Sequence, residues 1–169
     1  VNTKGGTYKL TPIIYAVYEE NIEAMNTLIK AGADLTIKDN CGETVLHKAI
    51  NLKSTVARLS ATNLLIKSGA NVNAQACGGF TPLHIVQYFD TAEILINAKA
   101  NLSIRDHDGE TALHHATRSP YGRIIKLRED RLKTTSLLIK YGADVNATNK
   151  DGVTPIRYSN CLLIMEILI

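Results

Sequence analysis

Histidines and cysteines are the side chains of this sequence best suited to chemistry. Five histidines and three cysteines are spread over 169 residues. Imidazole titrates near neutrality and ligates metals, and thiolates are nucleophiles and soft ligands. His47, His84 and His114 each stand three residues after a threonine, in TVLH, TPLH and TALH. An enzyme would need such groups to converge in one pocket. Three copies at one position of a recurring segment argue for architecture instead. His107 lies between Asp106 and Asp108. That composition could ligate a metal, but it is also that of an exposed turn, which is the reading preferred here. Cys41, Cys77 and Cys161 are odd in number and widely spaced, with no CxxC pair. They predict neither a zinc site nor a disulfide framework, but free thiols in a reducing compartment. No glycine-rich phosphate loop, HExxH or GxSxG pattern is present. No enzyme activity, metal or cofactor is therefore expected.

The elements that must carry these residues follow from a period. Five segments align on a threonine: TPIIYA from Thr11, TVLHKA from Thr44, TPLHIV from Thr81, TALHHA from Thr111 and TPIRYS from Thr154. A glycine stands two residues before each of the last four, at Gly42, Gly79, Gly109 and Gly152, whereas the first has Lys9. Further upstream a second signal recurs as GADLTIKD, GANVNAQA, KANLSIRD and GADVNATN. From its Leu or Val to the next threonine the offset is nine in all four cases. An apolar run precedes each such signal.

Local physics gives each part a role. Threonine is suited to an N-cap and the following proline to the first helical position, where a missing N–H costs nothing. The Leu and Ala after it give that helix an apolar stripe. Asn, Asp and Gly before the threonine supply turn chemistry. Gly32, Gly69 and Gly142 lie just past an apolar helix, as C′ residues should. The second helix is the more hydrophobic, with Leu137, Leu138 and Ile139 as its clearest run. One such unit cannot bury its own faces, so stability must come from stacking.

This pattern resembles the ankyrin repeat, a unit of about 33 residues with a T-P-L-H-x-A signature. The resemblance covers nearly the whole chain. It implies an all-α solenoid, in which each unit is a helix, a loop, a second helix and a β-hairpin finger. On this reading residues 1–169 form a single domain, with repeats at approximately 1–34, 35–71, 72–101, 102–144 and an incomplete 145–169. The resemblance makes Thr44, His47, Thr81, His84, Thr111 and His114 a structural motif that bonds neighbouring loops. Ile14 and Arg157 replace the histidine in the first and fifth units, where that network should weaken. Cys41 and Cys77 fall on adjacent fingers, which should not easily allow a disulfide. Val1-Asn2 matches a finger, so the array is expected to begin inside one, and NCLLIMEILI, residues 160–169, reads as a second helix with more array expected beyond it.

The copies are unequal. From the threonine to the residue opening the next GAN-type signal, the distances are 21, 25, 18 and 31 residues. The second unit thus carries an insertion, the third is clipped, and the fourth carries a large insertion. All of this falls between the two helices. The third helix pair should therefore form a notch between two raised edges. Lys99 replaces the glycine that would end its second helix, which must stop without it. The large insertion lies within RSPYGRIIKLREDRLKTT, residues 118–135, and reads as a two-turn extension of helix two. It carries Arg118, Arg123, Lys126, Arg128, Arg131 and Lys133 against Glu129 and Asp130. It is either a solvated extension or a docking site for an acidic partner.

Ankyrin-like arrays imply binding of another protein through finger tips and a concave helix face. The candidate contacts are Lys38, Asn40, Glu43, Gln75, Phe80, Arg105, His107, Glu110, Thr148 and Lys150. Phe80 stands where other units have Glu43, Glu110 and Val153. It is read either as a hot-spot anchor or as a ring packed on the adjacent finger. A formal net charge of +3 and the lack of aromatic–basic interleaving argue against nucleic acid. No apolar run reaches membrane-spanning length. The expectation is a monomeric, intracellular scaffold or adaptor, cytoplasmic or nuclear. The alternative is a regulatory or targeting segment of a larger enzyme or host-directed effector, including an inhibitor resembling the IκB type, which the basic insert disfavours.

Overall fold

Each threonine of the period holds an extended backbone, and the chain turns helical at the next residue. The computed structural model describes residues 1–3, 5, 10–118 and 125–159, residues 125–128 by their backbone alone. Arg123, Cys161, the turn at 119–122, the segment 160–169 and the side chains of Lys126 and Arg128 lie outside the described residues. Helices come in pairs: α1 (Pro12–Tyr18) with α2 (Ile22–Lys30), α3 (Val45–Ala49) with α4 (Thr55–Lys67), α5 (Pro82–Ile85) with α6 (Phe89–Asn97), and α7 (Ala112–Thr117) with α8 (Ile125–Lys140). The fifth threonine leads only a 3₁₀ turn, Pro155–Tyr158.

First helices pack on first helices and second on second, so the pairs stack in one row. Aliphatic side chains fill the seams. Ile14, Leu46, Ile50, Leu65, Leu95, Leu113 and Leu138 are essentially inaccessible. Small Ala49, Ala61 and Ala92, also fully buried, let the helices approach closely. Each fully buried aliphatic side chain contributes roughly 1.5–3 kcal/mol. Since most of these faces are covered by a neighbouring pair, stability is shared between units.

Fingers link the pairs. Each is a narrow hairpin closed by two backbone bonds, one from the N–H of Asp39, Ala76, Asp106 or Asn149 to the carbonyl of Glu43, Phe80, Glu110 or Val153, at 2.8–3.0 Å, and one back from the N–H of Gly42, Gly79, Gly109 or Gly152, at 3.0–3.1 Å. No strand longer than an isolated bridge, Gly5–Leu10, occurs among the described residues. Adjacent fingers touch through Cys77 N–H on the Cys41 carbonyl (3.0 Å), His107 on Gly78 (2.7 Å) and Lys150 on Asp108 (2.9 Å). Cys41 and Cys77 are thus backbone neighbours, closer than the repeat spacing predicted. The closeness bears on Gly42, Gly79 and Gly109, where a Cβ would meet the next finger, whereas Gly152 has open space. Gly79 has φ +83°, and a Cβ there would stand 3.0 Å from Asp106 Cα.

Helix α6 ends as the others do, although it has no glycine. Gly32, Gly69 and Gly142 take φ of +83°, +89° and +88°, and Lys99 takes +65° in their place. Lys99 N–H still bonds the Ile96 carbonyl, as Gly32 bonds Ile29. The helix thus stops without the glycine, as its sequence requires, and does so in the same conformation. The turn is kept, and the lysine carries the cost of a left-handed conformation. Lys99→Gly is expected to raise stability by about 1 kcal/mol, which a urea titration would read.

Candidate functional site

Three nearly identical boxes set the scaffold of the site. His47 Nδ1 lies 2.8 Å from Thr44 Oγ1 and accepts the Thr44 backbone N–H at 3.2 Å. Its Nε2 reaches the Phe80 carbonyl at 3.1 Å, on the next finger. His84 repeats this with Thr81 and the Glu110 carbonyl, and His114 with Thr111 and the Val153 carbonyl. An Nδ1 that accepts an amide leaves the proton on Nε2 as the donor to the carbonyl. All three rings are buried, and burial pushes each imidazole below its ordinary pKa. They tie one helix pair to the following finger, which consumes both ring nitrogens.

Chemistry varies one turn along, at three further positions of repeats two to four. They lie five residues before the threonine, one before it and four after it. In the second unit they are Asp39, Glu43 and Lys48. The Lys48 ammonium pairs with Asp39 at 2.9 Å and with Glu43. Burial disfavours its charge, but the hydrogen bonds it donates to both carboxylates outweigh this and hold its pKa above the ordinary value. In the third unit they are Ala76, Phe80 and Ile85, an apolar set. In the fourth they are Asp106, Glu110 and His115, with His115 Nε2 2.8 Å from Asp106 and 3.3 Å from Glu110. Three metal-competent atoms thus lie within 4.8 Å of one another. In the second unit Lys48, which cannot ligate, holds the place of His115 and forms an ion pair there, while Asp39, Cys41 and Glu43 bring three further such atoms together.

Glu110 corrects an expectation. It does not stand on the surface but is 2% exposed. Its chain folds back along the groove, where Arg118 Nη2 and the Tyr158 hydroxyl both donate to Oε1 at 2.5 Å. Asn149 adds a bond at 3.3 Å, and Arg118 stacks over the Tyr158 ring. The hydrogen bond to Glu110 holds the Tyr158 hydroxyl above its usual pKa. Glu110→Gln is expected to lower stability by about 1.5 kcal/mol, read by urea unfolding, because charge-assisted bonds become neutral ones.

The other predicted contacts separate into two groups. Lys38, Gln75 and Arg105 form a ladder across the fingers: Lys38 Nζ donates to the Gln75 carbonyl (2.7 Å), Gln75 Nε2 to Arg105 (3.5 Å), and Arg105 to Thr148. All four residues are nonetheless exposed, as are Asn40, His107 and Lys150. Glu43 is half-buried against Lys48. Phe80 is also half-buried, its ring edge-on to His84 and His115 at 6.5 and 5.6 Å. It packs in the groove of its own and the following unit. Of the basic insert, Arg118 is exposed while bonded to Glu110, Arg131 is half-buried against the His115 and Arg118 carbonyls, and Lys133 is exposed on α8.

The family model for ankyrin repeats matches residues 1–76 and 55–149, most of the chain. The chain belongs to the ankyrin-repeat family. Ankyrin repeats are protein–protein interaction modules. Among the relatives is SH3 and multiple ankyrin repeat domains protein 2 of Homo sapiens, 29% identical over 149 residues, 85% of this chain and 7% of that protein. Rabankyrin-5 of Homo sapiens is 36% identical over 103 residues, 52% of this chain and 8% of its own. Nuclear factor NF-kappa-B p105 subunit of Gallus gallus is 27% identical over 163 residues, 92% and 15%. The chain thus spans less than a fifth of each of these relatives.

Within the ankyrin array, the junction of the second and third repeats holds residues that sequence reasoning missed. The insertion after α3 does not stand up as an edge but folds onto the clipped loop. Asn51 Nδ2 donates to the Ile85 carbonyl (3.0 Å), and its Oδ1 accepts Gln87 N–H (3.1 Å). The four-residue α5 is closed by this side chain. Arg58, 1% exposed, donates to Thr91, the Leu52 carbonyl and Asp90, each at 3.0 Å at closest, and lies 3.7 Å over the Tyr88 ring. On the other side the notch is open. A cleft of about 280 Å³ lies between residues 83–87 and the α7–α8 pair, lined among others by Phe80, Val86, His115 and Arg131.

Proposed function

We propose that this array is a binding scaffold for another protein, engaged through the finger tips and the concave helix face. One observation carries the reading. The Thr–His boxes repeat unchanged in repeats two to four, whereas the groove positions beside them run acid–lysine, apolar, acid–histidine. A fixed frame that presents varied surface chemistry is how a repeat protein specifies a partner. Both ring nitrogens of the three box histidines are spent on the frame, which supports a binding rather than a catalytic role. No helix of the described residues is long and apolar enough to cross a membrane. The reading is of a monomeric, intracellular module that takes neither nucleic acid nor membrane. Finger contacts are assigned to Lys38, Asn40, Gln75, Arg105, His107, Thr148 and Lys150.

The test is affinity capture with the wild-type array, with Phe80→Ala, and with Lys38 and Lys150 reversed to glutamate. Each variant is first checked for native helicity by circular dichroism. Partners enriched by the wild type should fall at least about tenfold on one variant or both, the loss of one hot-spot contact. Retention of every partner by both variants would overturn the groove assignment. A second reading is a regulatory or targeting segment of a larger protein, supported by relatives in which the matching part is 7–15% of the whole.

A further inference from the structure

We propose that the cleft beside the clipped loop of repeat three takes an acidic side chain, flanked by an apolar one, from a segment of the partner protein. The proposal rests on the interaction-module reading and names the chemistry bound at one place in that groove. The cleft, about 280 Å³, is at the small end of ligand sites, which run to roughly 300–1,000 Å³. It fits one or two peptide residues. Its floor is apolar, made by Phe80, Leu83, Ile85 and Val86.

The far wall is cationic. Arg131 reaches in from α8, and its Nη1 donates to the carbonyls of His115 (2.6 Å) and Arg118 (2.8 Å). Those bonds stop the end of α7 but leave the charge without a counter-ion. Arg131 forms no ion pair among the described residues, and it is only half-exposed. Arg118 lines the same cleft with its side chain 45% exposed, but its guanidinium is paired with Glu110, which leaves Arg131 as the uncompensated cation. Burial and the neighbouring Arg118 both disfavour the charged form of Arg131. The nearby carboxylates do not relieve this. Asp106 and Glu110 are buried and turned to His115, Tyr158 and Arg118. A carboxylate entering the cleft would meet the Arg131 guanidinium, whose Nε and Nη2 can give it charge-assisted bonds. An apolar neighbour on the same segment would cover Phe80 and Val86.

The rim offers a clean probe. Gln87 lines the cleft and is exposed, and it bonds Asn51 through its backbone N–H, so its side chain can change without disturbing the frame. The probes are two pools of fluorescein-labelled heptapeptides, one with a central Leu-Glu or Leu-Asp pair and one with Leu-Gln or Leu-Asn. Anisotropy reads affinity, and amide and guanidinium NMR shifts read location. The acidic pool is expected to bind at least about tenfold tighter, with shifts at Phe80, Gln87 and Arg131. Gln87→Glu should weaken it about threefold and Gln87→Lys should not, while Arg131→Gln should abolish the preference. Equal affinity of the pools, or shifts confined to the fingers, overturns the cleft and leaves the scaffold reading standing. So does a response to phosphatidylserine vesicles in place of peptides. If neither peptides nor captured proteins bind any face of the array, both fall.

Discussion

Lowering the pH from about 7.5 to about 5.5 is expected to destabilise the array steeply, by up to about 4 kcal/mol per pH unit within the window set by its buried histidines. His47, His84 and His114 are folded with Nδ1 accepting a backbone N–H and Nε2 facing a carbonyl. A second proton has no place on such a ring, since at Nδ1 it would point at the threonine amide. Burial lowers all three pKa values, and for His84 the adjacent His115 adds to this. Unfolded histidine titrates near 6.5. Below that pH the unfolded chain therefore takes up protons that the folded chain refuses, so stability rises with pH there. It is fully present above about 6.5 and is lost as pH falls towards the folded values. Asp39 and Asp106, held low by hydrogen bonds, and Lys48, held high, keep their charge across this range and do not change the slope. Urea titrations at both pH values read the effect. His84→Gln should remove about one proton from the slope, and equal stability at the two pH values would refute the account.

Those boxes were legible because they are local. Thr44 and His47 are three residues apart, and the constant offset of nine places the next finger within reach of every ring. The same holds for Gly32, Gly69 and Gly142, whose position past an apolar run requires a left-handed backbone. Residues whose partners lie in another unit were not legible. Glu110 looks like a finger-tip acid, because nothing near it in sequence tells of Tyr158, 48 residues on. Nothing near Arg58 in sequence tells of Tyr88, Asp90 and Thr91, yet it is among the most buried side chains. The length deficit of the third repeat was countable, and the open cleft on one side of it follows from that count. Its other side is filled by Asn51, which belongs to a neighbour's insertion. Lys99 shows the converse case. A local rule failed at one residue and the backbone kept its turn, because stacking on both sides over-determines the helix end.

Arg58→Ala is expected to cost about 3 kcal/mol, within the range for removing one partner of a buried pair. For a chain of this length that is a fall in melting temperature of roughly 6–12 °C. The guanidinium holds the start of α6 through Asp90 and Thr91, the insertion through the Leu52 carbonyl, and the clipped loop through the Tyr88 ring. Alanine leaves the Leu52 carbonyl and Thr91 hydroxyl without that donor and opens a void beneath Tyr88. Asp90 is 39% exposed, so water recovers part of its loss, which keeps the cost below the extreme for a fully buried pair. Arg58→Met separates the contributions. It keeps most of the stem's packing and drops the polar bonds, so it should cost about half as much. The location matters as much as the size. A solenoid is stabilised by interfaces between neighbours, and Arg58 spans the interface between repeats two and three. Its loss should let the first two repeats exchange amide hydrogens faster than the fourth. Wild-type melting for both variants would show that packing, and not this guanidinium, couples the irregular repeats. A uniform acceleration of exchange would place the coupling elsewhere in the row.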